Sequence, residues 1–256
     1  MQHPSRRHVL LAFPAGLAAL GLAPHAAAGH DPADIWPDFP QQPRSLVAEL
    51  VGAAHRDIER VRSLLDAHPA LVNAAWDWGF GDWETPLGAA SHTGRRAIAE
   101  LLLERGARLD IFAAAMLGNL DAIRAMIDAA PGVQRAPGPH GITLLAHAKA
   151  GGDAAQAVVE YLTTRGDADK GPTIAPIGDE ARAGIARTYA TASGTEFRIR
   201  FEKNNLDFIM NGSPRRLHHL GNGAYFPSGV PSVTFRFADG VVTITDHDLV
   251  VTATAK

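Results

Sequence analysis

Residues 84–110 read ETPLGAASHTGRRAIAELLLERGARLD. Thr85-Pro86-Leu87 opens the stretch, and a small-residue run follows to Ser91. Gly94 makes a turn, Ile98–Glu104 is Leu-rich, and Gly106-Ala107 forms the exit. The spacing predicts two short helices joined by a glycine turn. A pair this small buries its apolar face only by stacking on similar neighbours, so neighbours should exist on either side.

They do. The segments VRSLLDAHPALVN (61–73), IAELLLERGARLD (98–110), IRAMIDAAPGVQR (123–135) and VVEYLTTRGDADK (158–170) carry the same kind of second helix and exit. Aligning Leu64, Leu101, Met126 and Tyr161 gives steps of 37, 25 and 35 residues. The short step means the third unit lacks the turn that precedes the others. Its inner helix, FAAAMLGN (112–119), starts almost directly after Leu109-Asp110. Over roughly residues 45–170 the pattern resembles the ankyrin repeat family, whose period is about 33 residues. Thr85-Pro86-Leu87 matches the family's opening, with Gly88 where a His is usual, and Gly141–Leu145 is a weaker copy. The resemblance implies a solenoid that holds a protein partner on a concave face built from finger loops and inner helices.

After Gly171-Pro172 the period changes from helical to alternating. Phe197–Phe201, Leu206–Phe208, Val233–Phe237, Val242–Thr245 and Leu249–Thr252 alternate apolar and polar residues. That is the pattern of half-buried strands. Turns fall at Asn204-Asn205, Ala238-Asp239-Gly240 and Asp246-His247-Asp248, with Asp239-Gly240 the strongest hairpin signal. Strands about every ten residues imply an antiparallel barrel or sandwich. The segment is weakly similar to the β domain appended to some bacterial β-lactamase-like serine hydrolases. The hydrolase domain itself is missing, so no hydrolytic activity follows.

Residues 1–28 read as an export signal. Arg6 and Arg7 precede an apolar run, Val9–Ala23, and Ala26–Ala28 offers a cleavage site. Ser5–Leu10 resembles the twin-arginine signal, with Val9 in place of the usual Phe. Fifteen apolar residues span only about 22 Å, short of the ~30 Å hydrocarbon core. The expectation is a periplasmic or secreted protein, without stable membrane insertion after signal cleavage. The expected organisation is α+β: signal 1–28, linker 29–43, ankyrin-repeat domain 44–170, linker 171–183 and β domain 184–256. With 24 Lys+Arg against 27 Asp+Glu, nucleic acid is not an expected partner. The chain has no cysteine, hence no disulfide or thiolate metal site.

Function is sought first in Trp76-Asp77-Trp78-Gly79-Phe80-Gly81-Asp82-Trp83, which holds three of the four tryptophans. It forms the finger loop entering the best repeat. Trp is the residue of interface hot spots. Trp76, Asp77, Trp78, Phe80, Asp82 and Trp83 are therefore the candidate binding residues. Two other roles fit the same loop: bracing between the first two units or against the β domain, and a stacking platform for a sugar. No catalytic, metal or cofactor site is expected. His218 and His219 are adjacent in a strand and so face opposite ways. His92, His140 and His147 each read as structural residues of a repeat, and Ser91-His92 is no catalytic pair. The reading is a non-enzymatic adaptor. The alternative is a barrel holding a small apolar ligand among Phe197, Phe201, Phe208, Phe235 and Phe237, which in the plainer reading fill a dry core.

Overall fold

The computed structural model describes residues 41–256 apart from Lys203, Asn211, Gly212 and Asp248. The expected export signal and nearly all of the linker 29–43 lie outside the described residues. From Gln42 to Lys256 the chain is one compact unit. It is α+β, with helices first and a barrel after them.

Helices α1 (Arg44–Ala54), α2 (Ile58–Ala67), α3 (Pro86–His92) and α4 (Arg96–Glu104) are followed by α5 (Ile111–Met116), α6 (Leu120–Ala129), α7 (Leu144–Ala150) and α8 (Gln156–Arg165). Each second helix is amphipathic and buries one stripe, for example Ile98, Ala99, Leu101 and Leu102 in α4. The first helices α3 and α5 are buried nearly all round, which only small residues such as Ala89, Ala90, Ala113 and Ala114 permit. Side-chain caps start these short helices. Thr85 accepts from the Gly88 amide, Asp110 from Ala113 and Thr143 from Ala146. The exits are also tied: Asn73 donates to the Gly106 carbonyl and accepts from the Arg108 amide. Between α2 and α3 a two-strand finger stands out, β1 (Trp76–Asp77) against β2 (Trp83–Glu84). Residues 107–110, ahead of α5, form no strand.

A short helix α9 (Asp179–Ile185) leads into β3 (Thr188–Thr191). Then come β4 (Glu196–Glu202), β5 (Asn205–Met210), β6 (Ser213–Gly221), β7 (Ala224–Pro227), β8 (Val233–Ala238), β9 (Val241–Asp246) and β10 (Leu249–Ala255). Each pairs antiparallel with the next, and β10 returns to β3. Of the two expected forms, barrel or sandwich, the chain adopts the closed barrel, which leaves no sheet edge to protect. Asp239 and Gly240, at φ 51° and 75°, make the expected tight β8–β9 turn between Ala238 and Val241. Alternation sends Phe197 and Ile199 inward and Arg198 and Arg200 outward. Tyr189, Phe197, Phe208 and Phe235 fill the interior, while Phe201 is 37% exposed.

The finger couples the two parts. Phe80 sits at its tip at φ 59°, between Gly79 and Gly81. Its ring meets Phe208 and Phe235 at 5.8 and 6.1 Å, inside the barrel's aromatic cluster. Arg215 on β6 donates to the Trp78 carbonyl at 2.8 Å. Gly229 of the β7–β8 loop presses on the turn at Pro139–Gly141: a β-carbon there would lie 2.7 Å from the His140 α-carbon. Among the described residues, no helix is long and apolar enough to cross a membrane.

Candidate metal centre

Four residues from distant parts of the helical region converge. His55 is the residue after α1, Glu84 ends β2, His92 ends α3, and His140 lies in the turn before α7. One donor atom from each lies within 4.8 Å of the other three. The imidazole Nε2 atoms of His55 and His92 are 3.2 Å apart. Glu84 Oε1 is 2.9 Å from His92 Nε2 and 3.4 Å from His140 Nε2, and Oε2 is 3.6 Å from His55 Nε2. A tetrahedral ion with bonds of about 2.0–2.1 Å sets its ligands roughly 3.3 Å apart. The observed separations bracket that edge.

The surrounding hydrogen bonds point the donor atoms inward. His55 Nδ1 faces the Val51 carbonyl at 2.9 Å. A carbonyl can only accept, so Nδ1 carries the proton and Nε2 keeps its lone pair. His140 Nδ1 lies 2.9 Å from Asp82 Oδ2, and the same carboxylate accepts from the His140 amide through Oδ1. This double hold keeps His140 in the left-handed region at φ 59°, which a non-glycine residue seldom adopts. Trp78 Nε1–H donates to Glu84 Oε2 at 2.8 Å. Carboxylate–histidine pairs and a hydrogen-bonded carboxylate ligand are the outer layer that metal sites use to orient their ligands.

The electrostatics agree. Glu84 is fully buried. Burial alone raises a carboxyl pKa, but hydrogen bonds from His140 and His92 and the charges of His140 and His55 bring it down to about 2. Burial opposes charge on His140, but its bonds to Asp82 and Glu84 outweigh that and lift its pKa to about 9. Two buried carboxylates thus hold positive charge at one spot. A divalent ion would replace the His140 Nε2 proton and satisfy all four donors. With every ligand supplied by the protein, the set has the closed form of a holding site rather than the open form of a catalytic one. The donors, imidazole with one carboxylate, suit zinc and its neighbours.

Behind the cluster, Ser91 and His147 form a buried pair, Oγ to Nδ1 at 2.7 Å. His147 Nε2 meets no hydrogen-bond partner among the described residues. Burial, with the nearby His92 charge, lowers the His147 pKa to about 4, so this ring is neutral. Neither residue reaches solvent.

The six finger residues have separate fates. Asp82 holds His140 and lies 3.4 Å from Arg215 Nη1. Trp78 holds Glu84, and Phe80 enters the barrel. Asp77 accepts from the Gly79 amide within the loop. Trp76 lies under the Arg44 guanidinium at 5.6 Å, and Trp83 is 60% exposed. His218 packs at a tilt against Phe226 and His219 stacks on Tyr225, and neither belongs to the four-residue cluster.

Sequence reading missed the cluster because it weighed His92 and His140 singly and did not consider His55. A signal was present: His55 and His92 stand at the same 37-residue step as Leu64 and Leu101. Residues one repeat apart lie side by side in a stack. Comparison with protein-family models and with curated proteins returns no match. The reading of the site therefore rests on its own geometry.

Proposed function

We propose that this protein binds one divalent transition-metal ion, of the zinc class, through His55, Glu84, His92 and His140. A buried carboxylate facing three imidazole Nε2 atoms at ligand-edge distances carries this reading. The helical region is read as a short ankyrin-type stack, supported by four helix pairs and one finger. In that frame the ion ties the first, second and fourth units together. Through Asp82, His140 and Arg215 it also stiffens the seat of the barrel. The role is holding and bracing rather than turnover. If residues 1–28 export the chain, the ion is acquired outside the cytoplasm.

Chelator-treated protein titrated with Zn²⁺ should take up one ion per chain and gain thermal stability. Cobalt in its place should give the strong visible bands of a tetrahedral ion. Glu84→Gln should abolish both responses. Uptake that survives Glu84→Gln together with His92→Ala would sink the assignment.

Partner binding through the finger is a second reading, supported by the exposed Trp83 indole. It stands over a cleft of about 350 Å³ that also contains Phe112, Pro137 and Pro139. The cleft lies where the third unit has no finger. A partner captured by the native protein should be lost with Trp83→Ala while zinc uptake stays intact. Retention of that partner counts against the reading.

A further inference from the structure

The barrel interior is packed with rings, but one end of it is open. Between the β3–β4 and β9–β10 hairpins lies a cavity of about 170 Å³. Its walls are Phe80, Phe197, Phe208, Ile244 and Val251. Nearly all of this lining is carbon, and Phe80 closes the inner side by way of the finger. A dry, apolar cavity of about this size holds a molecule of six or so heavy atoms such as benzene. At the mouth, Leu249 and Met210 are held in water, 60% and 37% exposed. Apolar side chains rimming an apolar hole mark a ligand entrance more than a random surface.

The mouth also has a charge. Among the described lining residues Asp246 alone is ionisable. The exposed His247 ring lies 4.0 Å from it. A carboxylate at the rim of a carbon-lined hole attracts a ligand whose outer end is cationic. We propose that this cavity is a binding site for the alkyl end of a small aliphatic amine, with the ammonium group at Asp246. A fatty acid of the same length fits the hole equally but sets its carboxylate against Asp246. The inference is independent of the metal reading.

The test uses the whole chain at pH 8 with chelator present, so that no bound ion contributes. Hexylamine, hexanol and hexanoate are titrated while the methyl NMR signals of Ile244 and Val251 are followed. Hexylamine should bind at least about fivefold more tightly than hexanoate, with hexanol between, as a rim charge screened by water would give. Asp246→Asn should bring amine and acid within about twofold. Val251→Phe, which fills the hole, should abolish binding, and Val250→Phe, outside the lining, should not. Should Val251→Phe fail to fold, contacts from the probe's terminal methyl to Phe197 and Phe208 in the native protein decide the location. No shift with any probe, binding preserved in Val251→Phe, or probe contacts elsewhere would overturn the site. Hexanoate binding as tightly as hexylamine would overturn the head-group assignment.

Discussion

In the barrel, Tyr189, Phe197, Phe208 and Phe235 are sunk in one another's company, and among the described residues Asp207 is the one buried charged residue of its strands. In the helical region Asp82, Glu84, Ser91 and His147 are buried at or beside one cluster of histidines. Burying a polar group is costly unless it is paired, and burying a charge more so. Packing alone gives a fold no reason to collect that cost at one point. The barrel has the pattern that packing alone gives, and the proposed site accounts for the surplus polarity of the helical region. If this contrast is right, the two regions answer substitution differently. Barrel changes should cost stability equally with and without zinc, whereas changes around His140 should mainly alter the response to zinc.

The largest effect is expected in the barrel. Phe235 is fully buried and touches Phe208, Phe237 and the finger's Phe80. Phe235→Ala should lower the unfolding free energy by about 3–5 kcal/mol. Urea titrations with zinc and with chelator should give the same loss. A loss seen only with zinc would mean that barrel packing and the cluster are one cooperative device, and the contrast would fail.

The next effect is pH-dependent and belongs to the helical region. His147 titrates near 6.5 when unfolded and at about 4 in the fold. Its native pKa is depressed, so the stability tied to the neutral ring is complete above pH 6.5 and is lost as pH falls towards 4. The lowered value corresponds to about 3 kcal/mol across that window. Charging the ring would require an acceptor at Nε2, where the fold provides none. Denaturant titrations at pH 7, 6, 5 and 4 should show the decline, and His147→Gln should flatten it. An unchanged slope in that variant would place the acid sensitivity elsewhere.

Much of the fold is legible along the chain because its cause is local. Thr85-Pro86 starts a helix by capping chemistry, alternation in Phe197–Phe201 sets a strand's two faces, and Asp239-Gly240 makes a hairpin. Closure of the barrel is less legible: it depends on β10 meeting β3, far apart in sequence. The site is least legible. His140 reaches Glu84 only because its turn folds back onto the finger, and Asp82 looks like a rim residue until its partners are known. The finger's sequence displays its aromatic residues, while the carboxylates that meet the histidines, Asp82 and Glu84, flank Trp83.

Asp82 tests that point. It is not a ligand, yet it accepts both the ring and backbone N–H of His140. Asp82→Asn keeps the size and removes the charge. It should weaken zinc binding by about 10–100-fold, as loss of an outer-layer carboxylate does. At fixed zinc that removes about 1.4–2.7 kcal/mol of the ion's stabilisation. The chelator-treated variant should differ from the parent far less. If the loss were instead equal with and without zinc, Asp82 would be bracing the barrel through Arg215 rather than orienting His140.

The smallest expected effect separates two jobs of one side chain. Trp78 donates to Glu84 Oε2 and also lies edge-on to His55 and His140, at 6.5 and 5.6 Å. Trp78→Phe keeps an aromatic cover over the histidines but removes the N–H. Glu84 Oε2 then loses its neutral donor and turns more freely about the ion. Zinc affinity should fall by about tenfold, the lower end for an outer-layer contact. Glu84 remains buried, so Asp82→Asn should still weaken binding further in this background. Trp78→Ala, which also uncovers the rings, should cost more than Trp78→Phe. Equal affinities in the two variants would show that the indole N–H alone matters, and an unchanged affinity in both would remove Trp78 from the site.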